Sequence, residues 1–285
     1  MMIMDYSQIA ISSVMVEANN GEEFSEDLLR HIILNTIRNI RNKFSNEHNE
    51  LVIACDGPNY WRKEAFPYYK ASRKDARNKS GLDWKKLFDS ISTIREEIKE
   101  NFRYKVIRID GAEADDIIAA LCKEYGTIIG SGKEDILILS GDKDFGQLHK
   151  YSNVSQYDPI RSKKIKVDNP TDFLHDHIIR GDRSDGIPNI LSDSDTFVTD
   201  KRQKVLTKKR YQEIYQKISD VSFDDDTILE NYHRNKKLID LEERPQYIDI
   251  AVKKEYDLQV NKNSNLINYF MDKKLRNLME HIGEF

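Results

Sequence analysis

Short unbroken apolar runs alternate with longer stretches of helical periodicity along the chain. The runs Met2–Met4, Leu51–Cys55, Val106–Ile109 and Ile136–Leu139 are too short for buried helices and each stops at a polar turn, so they read as buried strands. Between them, Leu28, Leu29, Ile32, Ile33, Ile37 and Ile40 recur at helical spacing behind a candidate N-cap, Ser25, with Glu26 and Asp27 in the first turn. Trp84, Leu87, Phe88, Ile91, Ile94 and Ile98 mark a second amphipathic helix over 83–101, and Ile117, Ile118, Ala120 and Leu121 a third. Strands separated by helices predict parallel βαβ crossovers, hence an α/β fold with a mainly parallel central sheet flanked by helices. Val154–Tyr157 reads as a further strand and Lys163–Val167 as its hairpin partner. Asn169-Pro170 opens a helix that stops at Gly181-Asp182, and the rest is expected to be mostly helical and Lys-rich.

Each strand run is followed by acids. Asp5 ends the first, Asp56 the second, Glu113, Asp115 and Asp116 follow the third, and Asp142 and Asp144 the fourth; Asp182 and Asp185 follow the helix at 170–180. One such acid reads equally well as a helix cap. In a parallel sheet, however, the strand ends share one edge, where ligands bind. So many carboxylates together would raise one another's pKa values unless cations separate them. Oxygen ligation suits Mg²⁺ or Mn²⁺, and no His or Cys is expected near these motifs, which argues against zinc. Two such cations suit phosphodiester hydrolysis without a nucleophilic serine or a general-base histidine.

Residues 60–80 break the pattern. Arg62, Lys63, Lys70, Arg73, Lys74, Arg77 and Lys79 face only Glu64 and Asp75, with Tyr60, Trp61, Phe66, Tyr68 and Tyr69 interleaved. This reads as an unburied segment whose cations contact phosphates and whose rings stack on unpaired bases, or as a solvated polar helix. Lys201, Arg202, Lys204, Lys208, Lys209 and Arg210 form a second basic run, for duplex contact or simply a solvated face.

Composition alters the picture in one respect. The 285 residues carry a formal charge of −4, which looks wrong for a nucleic-acid binder. Setting aside the nine acids named above leaves 45 basic residues against 40 acidic ones, a balance of +5. Cys55 and Cys122 fit no metal or redox spacing and are expected as buried free thiols in a reducing, cytoplasmic setting. No apolar run approaches the roughly 18 residues of a membrane span.

The motifs Asp5-Tyr6-Ser7-Gln8-Ile9-Ala10, Tyr60-Trp61-Arg62-Lys63, Glu113-Ala114-Asp115-Asp116, Gly141-Asp142-Lys143-Asp144-Phe145 and Gly181-Asp182-Arg183-Ser184-Asp185-Gly186-Ile187-Pro188 resemble those of the flap endonuclease family of 5′ nucleases, most closely its T-even bacteriophage branch. The resemblance covers most of 3–185. It implies a PIN-like nuclease domain over 1–185 with a helical arch at about 60–80, and a helical region over 186–285 with a helix–turn–helix-like duplex-binding element. It implies two Mg²⁺ ions, with Mn²⁺ as a possible substitute. Asp5, Asp56, Glu113, Asp115, Asp116 and Asp142 would hold or surround the first; Asp144, Asp182 and Asp185 would serve the second, with Asp142 near both. Tyr69-Lys70-Ala71-Ser72-Arg73 matches the family's arch pattern, which implies that Lys70 and Arg73 act at the scissile phosphate beside the Asp142 and Asp144 metals. Arg62, Lys63, Tyr69, Lys74 and Arg77 would join them on nucleic acid.

The implied activity is 5′→3′ exonuclease and flap endonuclease action on DNA and RNA·DNA with free 5′ ends, removing RNA primers during lagging-strand replication, by a monomer in the cytoplasm of an infected cell. The C-terminal helices would dock a single-stranded-DNA-binding protein. A sliding-clamp contact is not expected, because only four residues precede Asp5. Asn189-Ile190-Leu191-Ser192-Asp193-Ser194-Asp195 replaces the family's glycine-rich turn, which removes the expected monovalent-ion site. The competing readings are a non-catalytic structure-specific DNA-binding protein and a PIN-like endoribonuclease.

Overall fold

A computed structural model describes residues 1–18, 25–127, 134–199, 201–218, 222–223, 225–260 and 263–285. Six strands form one sheet: β1 (Met2–Asp5), β2 (Leu51–Cys55), β3 (Lys105–Arg108), β4 (Ile136–Leu139), β5 (Val154–Asp158) and β6 (Lys163–Ile165). Their order is β3-β2-β1-β4-β5-β6, parallel throughout except for the β5–β6 hairpin. The chain therefore builds outward from β1 on one side, then returns to its other side at β4. The crevice between the carboxyl ends of β1 and β4 is the topological switch point, the place where ligands bind in such sheets. Asp5 and Ser140-Gly141-Asp142 lie at these ends.

Twelve α-helices are assigned among the described residues: α1 (Tyr6–Ala18), α2 (Glu26–Phe44), α3 (Trp61–Ala65), α4 (Ser72–Lys79), α5 (Trp84–Asn101), α6 (Ala114–Tyr125), α7 (Pro170–Arg180), α8 (Lys208–Ile218), α9 (Asp226–Ile239), α10 (Gln246–Leu258), α11 (Leu266–Asp272) and α12 (Arg276–Met279). Strand alternation sends Met2, Met4, Leu51, Ile53, Leu137 and Leu139 into a core shared with α1, α2, α5, α11 and α12. The residues between them, Ile3, Val52, Ala54, Ile136 and Ile138, meet α6, α10 and the 3-10 helix Lys143–Lys150 on the opposite face. A third cluster joins Phe66 and Tyr69 to α7, α8 and α9. Helices after residue 185 thus pack on both faces of the sheet as well as on the 60–80 segment.

Several expected ends are present in detail. The Ser25 hydroxyl accepts the amide of Leu28 at 3.1 Å, and Asp83 and Asn169 cap α5 and α7. Gly181 ends α7 with φ +68°, a left-handed conformation that favours glycine. One helix lies where the apolar pattern marks none. The chain after Asp5 is helical at once, as α1. Tyr6, Ile9, Ala10 and Val14 are buried, but Ile11 and Met15 also touch the core, so no polar face marks the helix period. From Lys208 on the chain is mostly helical, as expected, and no helix begins between Gly181 and Lys208 among the described residues. Cys55 and Cys122 are buried free thiols. Among the described residues no helix is long and apolar enough to cross a membrane.

Candidate metal centre

Asp5 is the last residue of β1 and is 5 % exposed. Its oxygens accept the Gln8 amide at 3.2 Å and the Ser140 hydroxyl at 3.1 Å. Ser140, fully buried in the turn after β4, also accepts the Asp142 amide at 3.1 Å, tying the two strand ends together. Asp142 in turn accepts the Asp144 amide at 2.9 Å and so caps the 3-10 helix. Asp56, just past β2, accepts the Ala114 amide at 2.9 Å and holds the start of α6 against the same edge.

These carboxylates repel one another. Burial, then the charges of Asp56 and Asp142, push the Asp5 carboxyl up to about 7. Burial and Asp142 drive Asp115 well above the usual carboxylate range. Burial and Asp142 likewise push Asp144 up to about 7. Burial and like charge both penalise the ionised forms, which is the condition a bound cation relieves. The donor set fits a hard divalent cation: carboxylate oxygens from four chain segments converge on one edge.

A second group of acids is already neutralised by protein cations. Arg62 is 2 % exposed and meets Glu113 at 3.0 Å and Asp116 at 2.9 Å, while its Nε donates to the Leu238 carbonyl at 2.9 Å. Lys70 Nζ lies 2.6 Å from Glu113 and 3.6 Å from Asp185, and Arg73 lies 2.5 Å from Asp185. The Tyr69 hydroxyl sits 2.9 Å from both Glu113 and Asp185. Burial alone would raise Glu113, but Lys70 and Arg62 outweigh it and hold the carboxyl below its ordinary value. Asp116 completes a capping box at the start of α6 and also accepts the Trp61 indole N–H at 3.1 Å. Glu113, Asp116 and Asp185 therefore surround the crowded acids as halves of ion pairs.

The 60–80 segment is less exposed than its polarity suggests. Trp61, Phe66 and Tyr69 are buried, which corrects the expectation that they stack on bases; they fill the cores beneath the segment instead. Arg62 is likewise turned inward onto Glu113 and Asp116 rather than toward phosphate. Its missed signal is the Leu238 carbonyl, 176 residues away. Lys63 and Lys74 remain exposed, and Arg77 stacks over Trp84 and Phe88 at 5.4 and 4.8 Å. In the second basic run, Lys201 pairs with Asp195 at 2.9 Å and Lys204 with Asp193 at 3.7 Å, whereas Arg202, Lys208 and Lys209 are exposed.

The expectation that no histidine lies near the acids is also overturned. His177 on α7 is 6 % exposed, with Nε2 3.1 Å from Asp182 and Nδ1 3.4 Å from Asp144. The packing of α7 on the 3-10 helix brings together residues 33 apart in sequence, which no local motif reveals. Burial would lower the His177 pKa, but Asp182 and Asp144 outweigh it and raise it. Burial would raise Asp182, but His177, Ser184 and Lys143 together hold it far below the usual range.

The family described as "5'-3' exonuclease, N-terminal resolvase-like domain" matches residues 14–176, and "T4 RNase H, C terminal" matches 170–285. The ribonuclease H of Enterobacteria phage T4 is 31% identical over 99% of this chain and 95% of its own length. The chain belongs to the 5′–3′ exonuclease family. A 5′-3′ exonuclease of Buchnera aphidicola is 31% identical over 55% of this chain and 53% of its own. The bacteriophage T5 D15 flap endonuclease, solved with DNA and metal ions, shares the fold at TM-score 0.65 and 19% identity, over 90% of this chain and 98% of that one. The T5 5′-exonuclease solved with zinc gives 0.64.

Proposed function

We propose that this chain is a Mg²⁺-dependent 5′→3′ nuclease, acting as exonuclease and flap endonuclease on DNA and RNA·DNA with free 5′ ends, and removing RNA primers during lagging-strand replication. The observation that carries the reading is the mutual repulsion of the buried Asp5 and the half-buried Asp115 and Asp144 at the switch-point edge. The name of the phage T4 relative supports action on RNA·DNA.

Asp5, Asp56, Asp115 and Asp142 would hold the first ion and Asp144 the second, with Asp182, Asp185, Glu113 and Asp116 around them. Bound there, such ions acidify an attacking water and stabilise the leaving oxygen. Ser140 ties the Asp5 carboxylate to the backbone of Asp142. Lys70 and Arg73, now on Glu113 and Asp185, are placed to exchange those partners for phosphate oxygens and offset charge developing there. Exposed Lys63, Lys74, Arg202, Lys208 and Lys209 supply salt-dependent contacts to the nucleic-acid backbone. The 1–185 region carries the chemistry in this reading, and 186–285 grips duplex.

A 5′-labelled flap and an RNA-primed duplex, each with Mg²⁺ or EDTA, test the proposal. Wild type cleaves both with Mg²⁺ alone, and Asp144→Asn cleaves neither. Cleavage that persists in EDTA sinks the metal mechanism. Equal cleavage of circular single strands sinks the requirement for a 5′ end. Docking of a single-stranded-DNA-binding protein is proposed on the C-terminal helices, where Ile250, Leu258 and Ile267 are each over 60 % exposed. Ile250→Glu combined with Leu258→Glu should abolish that binding while sparing flap cleavage; unchanged binding in a calorimetric titration rules this surface out.

A further inference from the structure

His177 is not among the acids that the family motif supplies, and it sits in the middle of the second acid group. Its Nε2 lies 3.1 Å from Asp182 Oδ2, a carboxylate whose other oxygen accepts the Ser184 amide and hydroxyl at 2.7 and 2.6 Å. Lys143 Nζ also reaches Asp182 Oδ2, at 3.1 Å. With both oxygens engaged, Asp182 is fixed, and its partner on the imidazole is the Nε2–H. Once the ring is neutral, as metal binding requires, its Nδ1 lone pair faces Asp144 Oδ1, 3.4 Å away. Both of these atoms are buried, and neither has a hydrogen-bond partner. A proton fills the gap between these two acceptors in the metal-free protein, and a metal ion can take its place.

The spacing fits a metal. Ligand atoms held at about 2.0–2.2 Å from one ion lie roughly 3.0–3.5 Å from each other. The outer half of the arrangement fits too, because a ligating histidine donates its second ring N–H to a carboxylate that fixes its tautomer and orientation. Asp144, His177 and Asp182 also offer donor atoms that all lie within 4.8 Å of one another.

We infer that His177 Nδ1 and Asp144 Oδ1 ligate a first-row transition-metal dication at the second metal position, with Asp182 as the positioning residue behind the imidazole. A mixed nitrogen and oxygen donor set selects Mn²⁺, Co²⁺ or Zn²⁺ over Mg²⁺, whereas the all-oxygen first position keeps no such preference. This rests on the metal-dependent reading of the acid cluster and deepens it: the two positions differ in chemistry, and the difference belongs to α7 of this chain.

Pulsed electron paramagnetic resonance on the full-length protein at saturating Mn²⁺ tests it. Protein labelled with ¹⁵N-histidine should show nitrogen coupling on one class of bound Mn²⁺, and His177→Asn should lose it. Competition titrations should show the preference of that class for Mn²⁺ over Mg²⁺ falling by roughly 10- to 100-fold in His177→Asn, and moving in the same direction in Asp182→Asn. Bound Mn²⁺ without nitrogen coupling in the wild-type protein overturns the inference, and this spectrum decides even if the variant does not fold. A flap-cleavage assay on the same wild-type preparation separates the two readings. Nitrogen-coupled Mn²⁺ without cleavage overturns the nuclease reading and keeps the site; cleavage without nitrogen coupling overturns the site alone.

Discussion

Arg62 shows how one residue's role is set by what surrounds it. In sequence it is one cation in a basic run; in the fold it is enclosed by Glu113, Asp116 and the Leu238 carbonyl. Removing one partner of a buried ion pair leaves the others uncompensated. Arg62→Ala should therefore cost about 3–5 kcal/mol in denaturant unfolding. Arg62→Lys should recover little, because an ammonium cannot reproduce the forked contacts. A phosphate-contacting arginine would behave differently: its loss would lower the salt dependence of DNA binding and leave stability nearly unchanged.

At the scale of elements, the base of the 60–80 segment is pinned to the turn after α7. The Lys70 amide donates to the Asp185 carbonyl at 2.8 Å, and Arg73 Nε reaches the Ser184 carbonyl at 3.3 Å. Gly186 makes that approach possible. Its φ is +75°, and a Cβ there would stand 2.9 Å from the Tyr68 carbonyl. Gly186→Ala should destabilise the protein by about 1–3 kcal/mol through backbone strain. It should also lower flap cleavage, because Lys70 and Arg73 are carried by the displaced segment. Thermal unfolding and single-turnover cleavage check this; unchanged cleavage rules out the pin as a determinant of activity.

Across the whole molecule, protons and metal compete for one acid cluster. Asp5 and Asp144 carry folded-state pKa values of about 7 against an ordinary 3.8. The metal-free fold therefore bears no penalty from them below about pH 4, a growing penalty as pH rises from there, and the full penalty above about 7. Divalent metal removes that penalty by neutralising the ionised carboxylates, and below about pH 7 it must displace protons to do so. Apparent Mg²⁺ affinity should accordingly fall roughly 10- to 100-fold between pH 8 and pH 6, about tenfold for each proton displaced. Calorimetric titration in buffers of different ionisation enthalpy counts those protons. Asp5→Asn should raise the melting temperature of the metal-free protein at pH 8 and leave it nearly unchanged at pH 4; destabilisation at pH 8 would contradict the crowding on which the metal centre is argued.

Local rules alone specify much of this chain. Strands buried on both faces read as unbroken apolar runs, and α2, α5 and α7 announced themselves by period and cap, because those signals are contained within a few turns of chain. The acids after each strand were legible for the same reason, since parallel strands send their carboxyl ends to one edge whatever the details. Helix α1 was not legible, because core contacts around it leave no polar face to mark its period. Tertiary structure alone decided which acids remain crowded and which are neutralised. Arg62, Lys70 and Arg73 reach Glu113, Asp116 and Asp185 only after α6, α9 and the turn after α7 converge, and charge pairing depends on distance in space, not along the chain. The same holds for His177, whose imidazole comes to lie between Asp144 and Asp182 only when α7 packs on the 3-10 helix.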